Sequence, residues 1–352
     1  YVKINDIHVS SDKESYICGV TKRANGTEIA FVAKLSATGV KEWEKTLEST
    51  DGLDYAEFSR IYVNGNDIWL TGINKPNISV LNAYNPDIIF CKYVQDENGL
   101  DANLAFQKSY AGISGSTRAD FPTVIKPYGD NRIVVGGYTN TNSASPYDAF
   151  LAVLDTTGNF VVKRKIASTN ASEKIVDMII DGDVVYFVME VAANSTTDNV
   201  NLAFGKATIG VNVIQIEWIK QYESSAYGFA NACIDIDEFN ELYITASTYL
   251  KTTPTTKEGV ATVKVDTTGA IIWSKRYAVP TGYNNVTIAG SNKIDIFGDL
   301  KIAYNCTNTD SDDRKEIHVI ELSYKGEVKN SYAAQLTENR DNPIEGWVAH
   351  SL

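Results

Sequence analysis

Three histidines, four cysteines and two methionines are few soft or imidazole ligands for 352 residues, and each shortage excludes something. His8, His318 and His350 stand far apart, with no HExxH pair and no metal-ligand spacing, which argues against a zinc hydrolase. Cys18, Cys91, Cys233 and Cys306 lack CxxC spacing. Each falls in or beside an apolar, strand-like run, where a thiol packs as a small hydrophobe; two disulfides or a metal site are the alternative. No apolar run approaches the ~20 residues that a helix needs to cross a bilayer. A basic stripe is missing too. The net charge is −12, and nucleic-acid binding needs cations that displace counterions from phosphates, so it is set aside. There is no G-x-S-x-G and no phosphate-cradling glycine loop, and no cofactor is expected. The chain opens on Tyr1 without a charged-then-apolar leader, which fits either a signal already removed or a piece of something longer. Nowhere do apolar residues recur with a period of 3.6, so helices are not expected.

What is present is a repeat. DTTGNFVVKRKIA begins at Asp155 and DTTGAIIWSKRYA at Asp266. Relatives of the phrase start at Ala30 (AFVAKLSATGVKEWEKTL), Ala149, Gly259 and Ile317, with looser copies at Ile88 and Leu202. Each is an apolar run, a glycine-bearing turn and a second run whose end is marked by Trp43, Phe106, Val162, Trp218, Trp273 or Asn330, at spacings of 63, 56, 56, 55 and 57. A second signature precedes each copy: an apolar or aromatic residue followed by apolar residues three and five places on, with Lys126 the only polar exception. It begins at Ile4, Phe58, Phe121, Ile175, Phe229, Tyr283 and Ile344. Between the two signatures sits a polar turn and another strand, as in GDNRIVVGGY and NGNDIWLTG.

Each unit is therefore four strands, a to d, in about 55 residues. One such sheet cannot bury both faces alone; repeated radially, each packs on its neighbours. The expected fold is all-β, a β-propeller of four-stranded antiparallel blades in a single domain, with blades near 4–48, 55–110, 118–167, 172–223, 226–278 and 281–333. An extra strand is expected at 343–350, around Trp347, so six complete blades are favoured and seven stand nearly level.

The strand c–turn–strand d phrase resembles the SBBP-type bacterial propeller repeat, roughly D-A-F-V-A-K-L-D-x-x-G-x-x-x-W. Asp148 to Lys165 and Ala30 to Lys45 carry the resemblance. The phrase also looks like the tryptophan-docking motif of quinoprotein propellers and the Asp-box of sialidases. In these groups the segment is architectural, so the resemblance implies a propeller, commonly of a secreted or surface-exposed bacterial protein, and no catalytic residue.

In a propeller the b–c and d–a loops share one face. Here the b–c loops are long and unlike one another, from TKRANGTE at Thr21 to STYLKTTPTTKE at Ser247, and recognition usually sits in such loops. Tyr55, Tyr227 and Tyr283 stand in or beside the d–a loops, as rim anchors or as caps of the blade core. Two places after the signature residue lie Asp6, Arg60, Thr123, Asp177, Asn231 and Asn285. This polar ring at the mouth of the central channel suits a small polar ligand, or simply a hydrated wall. Asp310 and Asp312 offer oxygens suited to Ca²⁺, but the loop lacks the Gly and distal Glu of an EF-hand, and no metal is expected.

With no catalytic set in view, the favoured reading is a non-enzymatic binding or assembly module. It would recognise a protein or glycan partner through the b–c loops, on a bacterial surface, secreted or in a phage particle, as a subunit or domain of a larger assembly. The alternative is a carbohydrate-active enzyme or lectin using the channel mouth.

Overall fold

The structure, a computed structural model, describes residues 1–24, 26–47, 53–76, 86–110, 119–140, 146–167, 171–193, 200–254, 256–279, 282–295, 298–308 and 314–335. Among them every helix or strand is a strand. The first four are β1 (Val2–Val9), β2 (Ser15–Lys22), β3 (Glu28–Leu35) and β4 (Lys41–Thr46), paired antiparallel in chain order. Next come β5 (Leu53–Asn64), β6 (Asp67–Pro76), β7 (Asp87–Gln95) and β8 (Ala102–Tyr110), again an antiparallel meander. A lone parallel bridge, Glu28 to Tyr55, joins the two sheets.

Four further sheets of four follow. They are β9 (Asp120–Tyr128) to β12 (Phe160–Ile166), with β10 (Arg132–Thr139) and β11 (Asp148–Asp155) between; β13 (Ala171–Asp181), β14 (Val184–Ala193), β15 (Val200–Ile209) and β16 (Ile214–Tyr222); β17 (Tyr227–Ile236), β18 (Leu242–Leu250), β19 (Lys257–Val265) and β20 (Ile271–Ala278); and β21 (Tyr283–Ile294), β22 (Leu300–Asn308), β23 (Arg314–Leu322) and β24 (Val328–Gln335). The strand expected at 343–350 lies outside the described residues.

The chain divides into two compact units. The first is Tyr1–Thr169, Glu173–Ile175 and Ile209–Ile214; the second is Asn170–Ser172, Val176–Thr208 and Gln215–Leu352. Within each, the middle strands are buried on both faces. β11, DAFLAVLD, is buried from Asp148 to Leu154, so it reads as a continuous apolar run rather than an alternating one. In the first unit Ile88 and Phe90 of β7 pack against Ile133, Val135, Phe150, Ala152 and Leu154 of the next sheet. In the second, Tyr186, Val188 and Phe204 meet Phe229, Ile234 and Ile244. Each such side chain contributes roughly 1.5–3 kcal/mol on burial.

Two devices recur from sheet to sheet. The first is the turn between the third and fourth strands. The Gly269 amide donates to the Asp266 carbonyl (2.9 Å), while Asp266 Oδ1 accepts from the amides of Thr268 (2.8 Å) and Ala270 (2.9 Å). Asp155 does the same for Thr157 and Asn159. Gly269 and Gly326 have φ of 80° and 71°, where an L side chain is strained. A Cβ on either would stand 2.9 Å from an aromatic ring of the preceding sheet, Trp218 or Trp273. Trp273 Nε1 donates to the Tyr324 carbonyl (3.0 Å), and Tyr277 Oη to that of Gly326 (2.7 Å). In the first unit Trp43 Nε1 likewise reaches the Gly99 carbonyl (3.3 Å).

The second device is a lysine on the third strand of a sheet, directly across from an aromatic on the second. The pairs are Lys34 with Tyr16, Lys92 with Trp69, Lys206 with Tyr186 and Lys264 with Tyr243, each ammonium 4.6–5.8 Å from its ring centre. The buried Lys34 is also held by Glu14 (2.9 Å) and Glu42 (3.0 Å), and these carboxylates raise its pKa against the opposing pull of desolvation.

Candidate functional site

The first strand of each sheet carries the polar positions read from the sequence, and a β-bulge interrupts its pairing at Ile4/Asp6, Phe58/Arg60 and Ala230/Cys233. A bulge re-aims side chains, and here it aims several at the neighbouring backbone. Asp6 accepts from its own following amide, Ile7 (3.0 Å), and from that of Ile61 on β5 (3.0 Å). Asp177 does the same with Met178 (2.9 Å) and Ile234 on β17 (3.1 Å). Thr123 Oγ1 donates to the carbonyls of Gly136 (3.1 Å) and Ile175 (2.5 Å), and Arg60 to that of Ser59 (2.7 Å). Burial pushes the Asp6 pKa up, although Arg60 and the two amides oppose it.

Asp235, which the spacing did not mark, holds Ile236 (3.0 Å) and Ile294 of β21 (2.9 Å) in the manner of Asp6 and Asp177. Asn231 takes different partners, although its strand carries the same kind of bulge as that of Asp6. Asn285 lies in β21, but its side chain is outside the described residues.

Asn231 differs from the rest. Its φ is 55°, in the left-handed region. Its amide donates to Glu190 Oε1 (2.7 Å), and its Oδ1 accepts from Lys257 Nζ (2.6 Å) and Ser247 Oγ (3.4 Å). Burial lowers the Lys257 pKa, with Glu190 opposing. Asn231 thus brings a carboxylate and a partly desolvated ammonium to one short stretch of β17.

The three rim tyrosines have separate fates. Tyr55 donates to Glu57, and desolvation followed by that carboxylate raises its pKa. Tyr283 donates to Glu316 Oε2 (3.0 Å) and packs edge-on against His318. Tyr227 lies under the Arg276 guanidinium, 4.2 Å from ring centre to Cζ. That pair opens onto a cleft of about 80 Å³ lined by Tyr222, Ser224, Tyr227, Phe229, Thr248 and, across β19, the edge of β20 from Ser274 to Arg276. Arg276 is fixed by Nε to Thr248 Oγ1 (3.0 Å) and Nη2 to the Glu258 carbonyl (3.3 Å). Ser224 Oγ accepts the amides of Ala226 and Tyr227, which sets the turn into β17.

The first unit has a different cation–tyrosine station. Lys174 Nζ sits 4.9 Å from the Tyr138 ring and 5.1 Å from that of Tyr147, with Phe121 stacked on Tyr138 at 4.8 Å.

Asp310 and Asp312 lie outside the described residues. Among the described residues, Asp295, Asp299 and Glu321 converge as a metal site would. Lys301 pairs with Asp295 (3.3 Å) and Lys329 with Asp299, so internal ammonium groups already balance that charge. All four cysteines are buried, and no disulfide joins them.

No family model and no curated protein matches this chain. Solved structures do. The NanB sialidase of Streptococcus pneumoniae is similar over 93% of this chain and 69% of its own, at 9% identity and a TM-score of 0.55. A polysaccharide lyase, an ulvan lyase bound to a GlcA(1-4)Rha3S saccharide, is similar over 95% of this chain and 87% of its own, at 7% identity and a TM-score of 0.57.

The chain is an all-β propeller of four-stranded antiparallel blades. The expectation of a non-enzymatic binding or assembly module is corrected here, because these structures of like fold are carbohydrate-active enzymes. The physical reason for the miss is that sequence motifs report local chemistry. A polar site assembled from several blades leaves no contiguous motif to read.

Proposed function

We propose that this propeller is a carbohydrate-active enzyme that engages its saccharide at the loop edge of the sheets β13–β16 and β17–β20. The observation that carries the reading is Asn231, held at positive φ between the Glu190 carboxylate and the Lys257 ammonium. Strain of this kind persists only where surrounding contacts enforce it, and it clusters at functional sites. Lys257 and Glu190 are the acid–base pair in this reading. The Lys257 ammonium is the acid and the Glu190 carboxylate the base, and burial, by disfavouring the charged form of Lys257, eases release of its proton.

The cleft beside Arg276 is one residue removed along β19, where the Glu258 carbonyl anchors the guanidinium. It supplies what sugars need: the ring of Tyr227 for a C–H face, and the hydroxyls of Ser224, Ser274 and Thr248 for polar groups. The sialidase and the lyase lend the reading support as proteins of like fold that act on carbohydrate. We also infer that the repeat is of the SBBP type, on the strength of the phrases at Ala30–Lys45 and Asp148–Lys165, and that the protein is extracellular, where polysaccharides are met.

The test is a polysaccharide panel read two ways: release of reducing ends for hydrolysis, and ultraviolet absorbance of unsaturated products for elimination. Turnover is expected, and it should fall at least 100-fold in Lys257→Met while the melting temperature holds, in line with the ~10²–10⁴ typical of an acid–base group. Silence on every polymer, or a Lys257→Met enzyme as active as the parent, contradicts the proposal.

A further inference from the structure

The geometry points to an anionic sugar, one bearing a carboxylate or a sulfate ester, as the occupant of the cleft between Tyr227 and Arg276. This rests on the carbohydrate reading above and adds the sign of the charge.

The lining is the argument. None of the nine residues around the cleft is acidic, in a chain of net charge −12 with 44 acidic residues. Ser224 Oγ accepts two amide protons, which leaves its own hydroxyl hydrogen directed elsewhere. Arg276 uses Nε on Thr248 and Nη2 on the Glu258 carbonyl, which leaves Nη1 for a ligand. Its guanidinium carbon sits 4.2 Å over the Tyr227 ring centre and two of its nitrogens are bonded, so the fork is oriented before anything binds. Among the described residues no carboxylate pairs with it; the two hydrogen bonds it makes there go to neutral oxygens.

An oriented guanidinium among hydroxyls is the chemistry that recognises a planar or tetrahedral oxyanion. Lys275, on the same edge, adds a second positive charge without an ion pair among the described residues. The overall acidity of the chain does not forbid this, because charges more than about 8 Å away are largely screened at physiological salt. By contrast Lys174, the cation of the other tyrosine station, is sandwiched by two rings.

Calorimetric titration with matched probes tests it. One pair is oligogalacturonate against its methyl ester, which removes the carboxylate charge and keeps the sugar; the other is dextran sulfate against dextran. The charged member of at least one pair should bind about tenfold or more tightly than its neutral partner, the gain expected of one charge-assisted contact. The pair that responds identifies carboxylate or sulfate as the group read. Arg276→Gln should erase the difference and Arg276→Lys restore part of it, while Lys174→Ala leaves it unchanged. Equal binding of charged and neutral sugars by the parent protein overturns the anionic inference and leaves the carbohydrate reading standing. Binding of none of the four probes, together with silence on the polysaccharide panel, overturns both. Because the matched-probe comparison uses the unaltered protein, an Arg276 variant that fails to fold does not decide the matter.

Discussion

The two ends of a blade obey different rules. At the turn between its third and fourth strands, one solution recurs in three sheets: an Asp or Ser cap, a glycine at positive φ and an aromatic from the preceding sheet resting on it. Asp155–Gly158, Asp266–Gly269 and Ser323–Gly326 differ in detail only. At the opposite edge, where the first strand enters and the second leaves, the described stations vary, although Tyr55 and Tyr283 each donate to a glutamate. One holds Lys174 between tyrosines, another sets Arg276 on Tyr227 beside an open cleft, and a third bends Asn231 to reach Glu190 and Lys257. The lesson is a division of labour: the turn edge is uniform because it has to dock one blade on the next, and the loop edge is free to diverge because it does not.

That contrast can be broken from either side. The largest effect belongs to the turn edge. Trp43, buried against Tyr16 and bonded to the Gly99 carbonyl, should cost about 3–5 kcal/mol when replaced by alanine, read as a lower denaturation midpoint. Saccharide affinity of the folded fraction should not change. Next comes Gly269→Ala, which forces an L residue to φ near 80° and a methyl into Trp218. A loss of about 1–2 kcal/mol from backbone strain alone is expected in the same assay. Tyr227→Ala should reverse the pattern, with affinity falling about tenfold by calorimetry and stability moving little, since loss of one cation–aromatic contact is worth about 0.5–2 kcal/mol. A Tyr227 variant that unfolds while sugar binding persists would erase the distinction between the edges.

The smallest effect is in pH. Hydrogen bonds from the Thr268 hydroxyl and the Ala270 amide hold Asp266 below its ordinary 3.8. Its contribution is therefore present above 3.8 and lost as pH falls through the lowered folded value. Asp6, raised by burial, has the opposite sign: its contribution is present below 3.8 and lost as pH rises through the raised folded value. Melting curves between pH 2 and 6, on the order of the range where carboxylates titrate, should show a flatter acid limb in Asp266→Asn and a steeper one in Asp6→Asn.

The blade was legible because its signals are local. DTTG specifies its own turn within four residues, and alternation specifies a strand within six. Pairings between the strands of one blade were much harder to read. The lysine–aromatic pairs are direct neighbours across strands, yet their separations run from 18 residues (Tyr16 to Lys34) to 23 (Trp69 to Lys92) because the loops between vary.

The same holds at the candidate site. Tyr227 was visible as an aromatic beside a loop, but Arg276 is 49 positions away and only the fold brings them together. Equal spacing picked out Asn231 for the polar ring, while the amide-bridging role held by Asp6 and Asp177 falls in this sheet to Asp235, four positions on. Asp6 and Asp177 were found by the same spacing, and the structure turns both toward backbone amides of the next first strand.

The central claim is that the loop edge engages saccharide while the turn edge only holds blades together. Hydrogen exchange with and without oligogalacturonate or dextran sulfate, whichever binds, tests this directly. Protection should appear at 224–229, 247–249, 257–261 and 274–276, and the turns at 155–158, 266–269 and 323–326 should exchange as before. Ligand-dependent protection centred on those turns, with the loop edge unchanged, would contradict the account.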